Sequence, residues 1–410
     1  MQDAAPESPI ALSPDAPADA RPNAPIRIFM TVAEVSGDHH AAAFIRGLRQ
    51  LDPSVQVEGL GGSRMRAAGA LIHHETVGRA AMMHHALARV GEIWKLLKWT
   101  RKHYDASPPS LHVCIDSSGM NFHFARVAHE RGVPVLYYVA PQLWASREGR
   151  MKKLRRWVDR VACILPFEQA YFRSHGVDAT FVGHPLFDEI PHDRPSMHRP
   201  PAAEELHNRP PVVGIMPGSR KSEVRANFPH MLEVARHIRA AFPGVKFLVP
   251  TTPSTHAMAT EVASAGADLP VTMEQDAIDA MLPQCDLCIA KSGTTTLHVA
   301  AFGVPMIVVY RLDPFVLRFG ARFVVKTASV GLVNLLAGPT LADRIVPEFF
   351  PWHGSDLPVA QLAVDLLSHP ERLDEQRQKL LKLVATLDYP GASLNAARLA
   401  LDMIRQRAAR

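Results

Sequence analysis

The stretch CDLCIAKSGTTTLHVAAFGVPMIVVYR, residues 285–311, contains a complete strand–helix–strand unit. A first apolar run ends at Ser292, Gly293 and Thr294, a helical stretch follows, and a second apolar run occupies residues 304–310. Two strands joined through a helix in this way lie parallel in one sheet. The turn between them offers backbone N–H groups and hydroxyls to an anion at the start of the helix. The stretch therefore predicts a parallel α/β fold with a ligand site at this turn.

The same alternation of strands and helices occurs in two blocks, before and after a proline-rich stretch at residues 191–211. Helical segments separate most of the strands, which is typical of doubly wound parallel sheets. The other predicted strands are IRIFMTVA (26–33), LHVCID (111–116), VPVLYYVA (133–140), VACILPF (161–167), ATFVG (179–183), VVGIMPG (212–218) and VKFLVPT (245–251).

The two blocks predict two Rossmann-like domains, residues 26–190 and 212–385, joined by the linker 191–211. In such folds ligands bind at the carboxyl ends of the strands, so we expect a cleft between the domains to hold the ligand. The last segment, residues 386–410, is an amphipathic helix that we expect to pack on the first domain. Residues 1–25 contain six prolines and seven alanines, which predicts a disordered tail.

The composition argues against several classes of protein. Hydrophobic residues make up 47% of the 410 residues, which is enough for substantial cores. The formal net charge of +5 permits an anionic partner, but no recognition module for nucleic acid accompanies it. Four cysteines in a chain of this length argue against a disulfide scaffold. The sequence contains no uninterrupted run of about 18 apolar residues, so a membrane-spanning helix is not predicted. The first residues lack the features of a secretory signal. We expect a cytoplasmic protein.

The first predicted strand ends in a turn with polar side chains. The order is strand, Glu34, then Ser36, Gly37 and Asp38, then helix, as in a ligand-facing loop between a strand and a helix. Glycine allows close approach of the backbone to a ligand, and Asp38 can cap the helix. An ordinary capped turn explains these residues equally well.

Asp116 stands at the end of the predicted strand 111–116. Open α/β sheets place their chemistry at this end, where a carboxylate can serve as a general base. A solvated loop aspartate, with Asn121 as a turn former, is an equally good interpretation.

A glycine, a hydroxyl and a guanidinium meet where strand 212–218 joins the next helix. Gly218, Ser219 and Arg220 combine backbone donors with a positive charge, which suits a diphosphate. The spacing is not that of a Walker loop. A simple tight turn does not explain the arginine, so we favour a phosphate site.

No metal site is predicted. Adjacent helical residues point about 100° apart, so the histidine pairs 39–40, 73–74 and 84–85 lack regular ligand spacing. The lone CxxC of Cys285 and Cys288 has no second pair, and we expect both cysteines to be packed in the core.

Two basic stretches have apolar side chains among their charges. In WASREGRMKKLRRWVDR (144–160) the charges are those of a solvated helix face, or of a face that meets anionic lipid headgroups. In residues 80–104, Met83, Leu87, Val90, Trp94 and Leu97 follow helical spacing. Packing on the core is the commoner role of such a stripe, and contact with acyl chains or a bilayer is the alternative.

Seven motifs in order resemble the lipid-A-disaccharide synthase family, inverting glycosyltransferases of the two-domain GT-B type. They cover most of the chain after the N-terminal tail. The motifs are AEVSGDHHAA (33–42), GLGGSRMRAAG (59–69), YYVAPQLWASREGRMKKLRRWVDRVACILPFE (137–168), FVGHPLFD (181–188), GIMPGSRKSEV (214–224), AKSGTTTL (290–297) and VVKTASVGLVNLLAG (324–338).

The resemblance implies transfer of 2,3-diacylglucosamine from a UDP carrier to 2,3-diacylglucosamine 1-phosphate, giving a β-1,6-linked disaccharide and UDP, without metal or cofactor. It implies Asp116 as the general base and Arg220, with Gly218 and Ser219, at the leaving diphosphate. The acceptor side of the cleft then contains Glu34, Ser36, Gly37, Asp38 and Asn121. The nucleotide site is then lined by Ser292, Gly293, Thr294, His298 and Asn334.

The resemblance also implies a homodimer with peripheral contact to the inner membrane surface. Several positions depart from the family: Gly119 replaces an aspartate, MMHHA (82–86) replaces a Met-Gly segment, Pro339 replaces an arginine, and His298 replaces a glutamate. A neutral histidine accepts one hydrogen bond where a carboxylate accepts several. Two alternatives therefore stay open: a GT-B transferase with another donor or acceptor, and a paralogue that binds nucleotide or lipid without catalysis.

Overall fold

The computed structural model describes residues 25–77, 86–144, 148–191, 193–194, 202–206, 208–264, 268–311, 329–338 and 340–409. The chain divides into two compact units. Unit 1 contains Met1–Glu189 and Leu387–Arg410, and unit 2 contains Ile190–Thr386. The predicted tail, the MMHHA segment apart from the backbone of Ala86, and Pro339 lie outside the described residues.

Unit 1 is built on a seven-stranded parallel sheet with strand order β3-β2-β1-β4-β5-β6-β7. Successive strands are added on one side of β1 and then on the other, so β1 and β4 are neighbours. Ligands bind at this switch point in open α/β sheets. The strands are Arg27–Thr31 (β1), Gln56–Gly61 (β2), Leu71–Glu75 (β3), Leu111–Ile115 (β4), Val135–Tyr138 (β5), Arg160–Cys163 (β6) and Ala179–Phe181 (β7).

Helices connect the strands of unit 1, and the longer ones bury an apolar stripe. In the first helix this stripe includes Ala41, Phe44, Ile45 and Leu48 at helical spacing. The helices are Val35–Leu51 (α1), Ser63–Ala67 (α2), Ala86–Ala106 (α3), Ser118–His129 (α4), Met151–Trp157 (α5) and Pro166–Ser174 (α6).

Unit 2 has a six-stranded parallel sheet with strand order β10-β9-β8-β11-β12-β13, so β8 and β11 flank its switch point. The strands are Val212–Met216 (β8), Lys246–Thr251 (β9), Val271–Gln275 (β10), Leu287–Lys291 (β11), Met306–Val309 (β12) and Glu348–Phe349 (β13). The helices are Ala202–Glu205 (α7), Lys221–Ala241 (α8), His256–Ser264 (α9), Ile278–Met281 (α10), Thr294–Ala301 (α11), Leu332–Ala337 (α12), Leu357–Ser368 (α13) and Pro370–Ala385 (α14).

The last helix, Ala392–Ala408 (α15), belongs to unit 1. Its N-terminus is capped by Asp188, whose carboxylate accepts from the N–H groups of Gly391, Ala392 and Ser393 at 2.7–2.9 Å. It packs tightly on α1, because a Cβ on Gly47 would lie 3.2 Å from the Ser393 carbonyl oxygen. The end of the chain thereby completes the core of unit 1.

Some elements differ from the sequence-based expectation. Strands β2, β3, β10 and β13 were not predicted, since glycine, polar side chains or short length hide their pattern. Helix α7 lies within the predicted linker, and Asp374 fixes it by accepting from the N–H groups of Ala202 and Ala203 at 2.7 and 3.1 Å. Cys285 and Cys288 are buried, which confirms their assignment to the core.

Candidate functional site

The predicted residues of unit 1 come together at its switch point. Asp116 directly follows β4, and Ser36 lies in the first turn of α1 after β1. The Ser36 hydroxyl donates to Asp116 Oδ2 over 3.4 Å, and the Ser117 N–H donates to Asp116 Oδ1 over 2.7 Å. A Cβ on Gly37 would lie 2.9 Å from the Val32 side chain, so glycine lets the start of α1 pack against the segment that follows β1. The two turns therefore meet at one carboxylate.

The backbone at Asp116 has a conformation that non-glycine residues seldom adopt. Asp116 and Ser117 have φ angles of +52° and +45°. The buried Asn121 amide donates to the carbonyl oxygens of Ile115 and Asp116, both at 2.8 Å, and the Tyr137 hydroxyl donates to the latter at 2.7 Å. Such strain persists only where surrounding contacts hold it. Asn121 is thus a positioning residue for the Asp116 loop.

Two other predicted residues of the first turn have roles within the fold. Asp38 is buried, and its carboxylate accepts from the N–H groups of Gly62, Arg64 and Met65 at 3.0–3.1 Å. It therefore caps the neighbouring helix α2 rather than its own helix. Glu34 occupies the N-cap position of α1 without a capping side-chain hydrogen bond.

In unit 2, the turn after β8 is organised by Glu223, which sequence reasoning missed. Its Oε2 accepts from the N–H groups of Ser219 and Arg220 at 3.1 and 3.3 Å. Gly218 has a φ of +123°, and a Cβ there would lie 2.6 Å from the Glu223 Cβ. Glutamate at the third position of a helix is a known capping signal, so the run SRKSEV contained this information.

Glu223 also binds two cations. Its Oε1 lies 3.3 Å from Arg220 Nη1 and 3.0 Å from Lys291 Nζ. Burial acts to raise the pKa of Glu223, but the positive charges of Lys291 and Arg220 outweigh it, and the pKa lies below its ordinary value. Lys291 precedes the turn after β11, and its Nζ would lie 3.7 Å from a Cβ on Gly293. The two predicted phosphate turns therefore adjoin through this lysine, which sequence reasoning missed.

The other predicted residues after β11 are held by internal contacts. The Ser292 hydroxyl donates to the Val330 carbonyl oxygen over 2.8 Å, and Thr294 begins α11. The buried Asn334 amide accepts from the N–H groups of Ile345 and Val346 and donates to the Val346 carbonyl oxygen. Asn334 also donates to Glu348 over 3.1 Å, so its side chain organises the surrounding chain.

His298 lies one helical turn after Thr294 and contacts a carboxylate. Its Nε2 is 2.6 Å from Asp279 Oδ1 on α10, and its ring stacks on Phe302 with centroids 5.6 Å apart. The His298 side chain is 17% exposed and that of Asp279 is 53% exposed. A carboxylate therefore adjoins the position where the resemblance implies a glutamate.

One cluster has the composition of a metal site. Glu58 Oε2 lies 2.8 Å from His73 Nε2, and Glu58 Oε1 lies 3.1 Å from His103 Nε2. Arg27 Nη2 contacts the same Oε1 at 2.5 Å. The guanidinium and the two imidazoles satisfy both oxygens of this buried carboxylate, so ion pairing and hydrogen bonding account for the cluster.

The basic stretches divide between core and surface. In α3, Leu97 is buried, whereas Val90 and Trp94 are 65% and 59% exposed, with Lys98 Nζ 5.6 Å from the Trp94 ring. Met83 and the side chain of Leu87 lie outside the described residues. In α5, the buried residues are Met151 and Leu154, and the exposed residues are Lys152, Lys153, Arg155 and Arg156. Among the described residues, no helix is long and apolar enough to cross a membrane.

Comparison with known proteins agrees with this architecture. The chain is similar to the solved structure of Acinetobacter baumannii MurG, with a TM-score of 0.56, 15% identity, and coverage of 92% of this chain and 100% of that one. The fold is that of the GT-B class, as predicted: two α/β units, each with a parallel sheet.

Sequence comparison resolves the family within this class. The model described as lipid-A-disaccharide synthetase matches residues 28–400. The lipid-A-disaccharide synthase of Geobacter sulfurreducens is 35% identical, covering 92% of this chain and 97% of the relative. That of Trichlorobacter lovleyi is 36% identical, covering 93% and 98%. The chain belongs to the lipid-A-disaccharide synthetase family, which confirms the resemblance inferred from its motifs.

Proposed function

We propose that this protein is a hexosyltransferase that forms the lipid A disaccharide. It transfers 2,3-diacylglucosamine from a UDP carrier to 2,3-diacylglucosamine 1-phosphate, with a β-1,6 link and release of UDP. The observation that carries this proposal is the family match over residues 28–400. Relatives named for this activity align over 92–93% of the chain, so the similarity extends over both units.

Asp116 is the proposed general base. The acceptor 6-hydroxyl oxygen attacks C1 of the donor sugar, the bond from C1 to the UDP oxygen breaks, and Asp116 takes the hydroxyl proton. The short contact from the Ser117 N–H and the hydroxyl of Ser36 support this role, because both orient the carboxylate. Glu34 and Gly37 belong to the turn after β1, at the same end of the sheet as Asp116. Asp38 caps α2 beside this turn, and the Asn121 amide fixes the backbone of the Asp116 loop.

Arg220 and Lys291 are the proposed cations for the leaving diphosphate. Charge grows on the UDP oxygen as the bond to C1 breaks, and fixed positive groups stabilise it. The Arg220 side chain is 62% exposed, so it is accessible to a ligand, whereas Lys291 is 13% exposed and held by Glu223. The two adjoining turns contain Gly218, Ser219, Ser292, Gly293 and Thr294. Asn334, whose amide is bound to the Val346 backbone, is proposed for this site on the family resemblance.

His298 and Asp279 together are proposed to replace the glutamate implied at position 298. The 2.6 Å contact places a carboxylate beside the imidazole, and Asp279 keeps enough exposure to accept from a ribose hydroxyl. We expect Asp279→Ala to raise the KM for the UDP-sugar about tenfold, the loss of one charge-assisted hydrogen bond. The double variant Asp279→Ala with His298→Glu should recover most of this loss. An unchanged KM in the single variant would contradict the pairing.

We also propose a homodimer, on the family resemblance alone, and peripheral contact with the inner membrane surface. The exposed Val90 and Trp94 lie one turn apart on α3, and the basic face of α5 offers charges that suit anionic headgroups. Such contact suits acylated substrates, because their chains favour a lipid surface. Trp94→Ala should therefore weaken binding to anionic vesicles, measured by sedimentation, without changing turnover of substrates presented in detergent.

The test of the function is product analysis. Purified protein is mixed with UDP-2,3-diacylglucosamine and 2,3-diacylglucosamine 1-phosphate, and both UDP release and product mass are measured. We expect one tetraacyl disaccharide phosphate per UDP. Folded protein that yields neither product would contradict the proposal. Histidine stands at position 298, where the family resemblance implies glutamate. The second candidate function is therefore a GT-B transferase with another donor, which a panel of other nucleotide sugars tests.

A further inference from the structure

A groove of about 530 Å³ lies between α1 and α2 of unit 1. Arg46 and Arg49 line it from α1, and Arg64 lines it from α2, with His39 at one end. Small alanine side chains form the rest of its walls. None of these residues has a role in the proposed site, so the groove needs its own explanation.

The groove begins close to Asp116. Ser36, whose hydroxyl contacts the Asp116 carboxylate, lies three residues before His39 on the same helix. Side chains three residues apart are neighbours on a helix surface, with Cβ atoms about 5–6 Å apart. Arg46 and Arg49 line the groove further along α1, about 10 and 15 Å beyond His39 by the rise of the helix. The groove is therefore a positively charged extension that starts one helical turn from the proposed base.

The positive charges of the groove are largely uncompensated. Within the described ranges, Arg46 and Arg64 make no side-chain hydrogen bond or ion pair, and Arg49 donates only to the Gly69 carbonyl oxygen, at 2.8 Å. Two carboxylates adjoin the groove: that of Asp38, and that of Glu189, whose Oε1 lies 3.3 Å from His39 Nε2.

Two further contacts support this picture of the charges. The Asp38 carboxylate accepts from three N–H groups at the start of α2, and its negative charge acts to raise the pKa of His39 but is outweighed. Burial and then the charges of Arg64 and Arg46 lower the pKa of His39. A cation is therefore disfavoured inside the groove, and an anion is favoured.

We infer that this arginine groove binds the phosphate of the acceptor, 2,3-diacylglucosamine 1-phosphate. Guanidinium groups match phosphate oxygens in paired hydrogen bonds, and those of Arg64 and Arg46 together suit a dianion. A single sugar ring separates the 1-phosphate from the 6-hydroxyl, a length comparable with the ~5.4 Å of one helical turn, so the phosphate reaches the His39 end of the groove, where the charges of Arg64 and Arg46 act. The phosphate then lies in the groove while the 6-hydroxyl meets Asp116. This inference rests on the proposed function, and it assigns the recognition of one end of the acceptor.

Steady-state kinetics with two acceptors test the assignment. Arg46→Ala and Arg64→Ala should each raise the KM for 2,3-diacylglucosamine 1-phosphate about tenfold, the loss of one charge-assisted contact, with kcat unchanged. Neither variant should change the KM for 2,3-diacylglucosamine that lacks the phosphate. The matched control is Arg66→Ala, which removes the same charge from α2 at a residue paired with Glu75 at 2.8 Å outside the groove. Equal KM values in all variants would overturn the inference.

A binding measurement separates the groove from the reaction. Addition of inorganic phosphate should raise the His39 pKa, followed by NMR, in the wild type and in Arg66→Ala but not in Arg64→Ala. If no disaccharide forms, the proposed function fails, whereas a His39 that ignores phosphate in active protein overturns the groove alone. If Arg46→Ala instead weakens binding to anionic phospholipid vesicles while the acceptor KM is unchanged, the groove serves lipid headgroups and the inference is wrong.

Discussion

The turn that carries Asp116 and the turn that carries Arg220 each lie at the switch point of their sheet, the first after β4 and the second after β8, but different forces hold them. The first has two residues with positive φ, fixed by the buried amide of Asn121. The second has one glycine with positive φ, and charged contacts around Glu223 bind it to Lys291. Hydrogen bonds that fix the backbone hold the Asp116 turn, whereas contacts between charged side chains hold the Arg220 turn.

This difference fits what each turn is proposed to do. A general base acts only within hydrogen-bond reach of one proton, so its carboxylate needs a fixed position. A leaving diphosphate spreads its charge over several oxygens, so cations assist it from a range of positions. Small geometric changes should therefore matter at Asp116, whereas loss of charge should matter at Arg220.

The largest effect is expected at the base. Asp116→Asn keeps the shape of the side chain but cannot accept the proton, so kcat should fall by about 10²–10⁴-fold. Steady-state UDP release measures it. Asp178→Asn is the matched control, because it removes the same charge from an exposed position paired with Arg160. A fall of less than tenfold in Asp116→Asn would remove this residue from the mechanism.

The next effect concerns the cations of unit 2. Arg220→Ala should lower kcat/KM for the UDP-sugar by roughly 10- to 150-fold, the worth of one hydrogen bond to a charged group. Lys291→Ala should act in the same direction, and Arg220→Lys should recover part of the loss because it keeps the charge. Arg236→Ala on the same helix α8 is the control, since its partners Glu233 and Asp268 lie on the surface. An unaffected Arg220→Ala would show that charge is not what this turn supplies.

The sequence predicted the strand ends better than the contacts between them. Strands β1, β4, β8 and β11 are almost wholly apolar and end in polar turns, so Ser36, Asp116, Arg220 and Ser292 were assigned to the ends of their strands. Within unit 1 the Ser36 and Asp116 side chains meet, and within unit 2 Lys291 reaches Glu223, because each sheet reverses its strand order there. The periodicity of apolar residues predicts the strands and helices, but it does not predict the order of the strands in the sheet.

The residues that sequence reasoning missed depend on distant contacts. Lys291 meets Glu223 across 68 positions of the chain, so no local pattern links them. Asn334 was assigned to the nucleotide site by resemblance, but its amide is engaged by residues 345–348. Only the folded chain shows which polar groups bind each other and which stay accessible.

A smaller effect on turnover is expected from Asn121→Ala, which tests the geometric half of the comparison. Loss of the amide leaves the buried Ile115 carbonyl oxygen without this donor, which costs about 1–3 kcal/mol of unfolding free energy. Because the Asp116 loop is then less fixed, kcat should fall about tenfold while the substrate KM values stay constant. Asn395→Ala removes a similar amide–carbonyl bond, to Val182, from the same unit. Equal kcat values in the two variants would reduce Asn121 to a purely structural role.

The smallest effect is a pH dependence of stability in Glu223→Gln, which tests the electrostatic half. The pKa of Glu223 lies below its ordinary value of 4.5 in the folded protein, so its contribution to stability is present above that value. The contribution is lost as the pH falls through the lowered pKa. Glu223→Gln should therefore be less stable than the wild type at pH 7, by about 1 kcal/mol after solvent screening.

Urea unfolding, from pH 7 down to below the lowered pKa of Glu223, measures the difference in unfolding free energy between the wild type and Glu223→Gln. This difference should shrink towards zero in acid. Glu233→Gln, on the same helix and half exposed, should show little difference at any pH. Glutamine still accepts hydrogen bonds from the N–H groups of Ser219 and Arg220, but it offers no charge to Lys291. A deficit that is the same at neutral and acid pH would mean that Glu223 acts through its geometry. The contrast between the two turns would then be wrong, because both would be held by hydrogen bonds to the backbone.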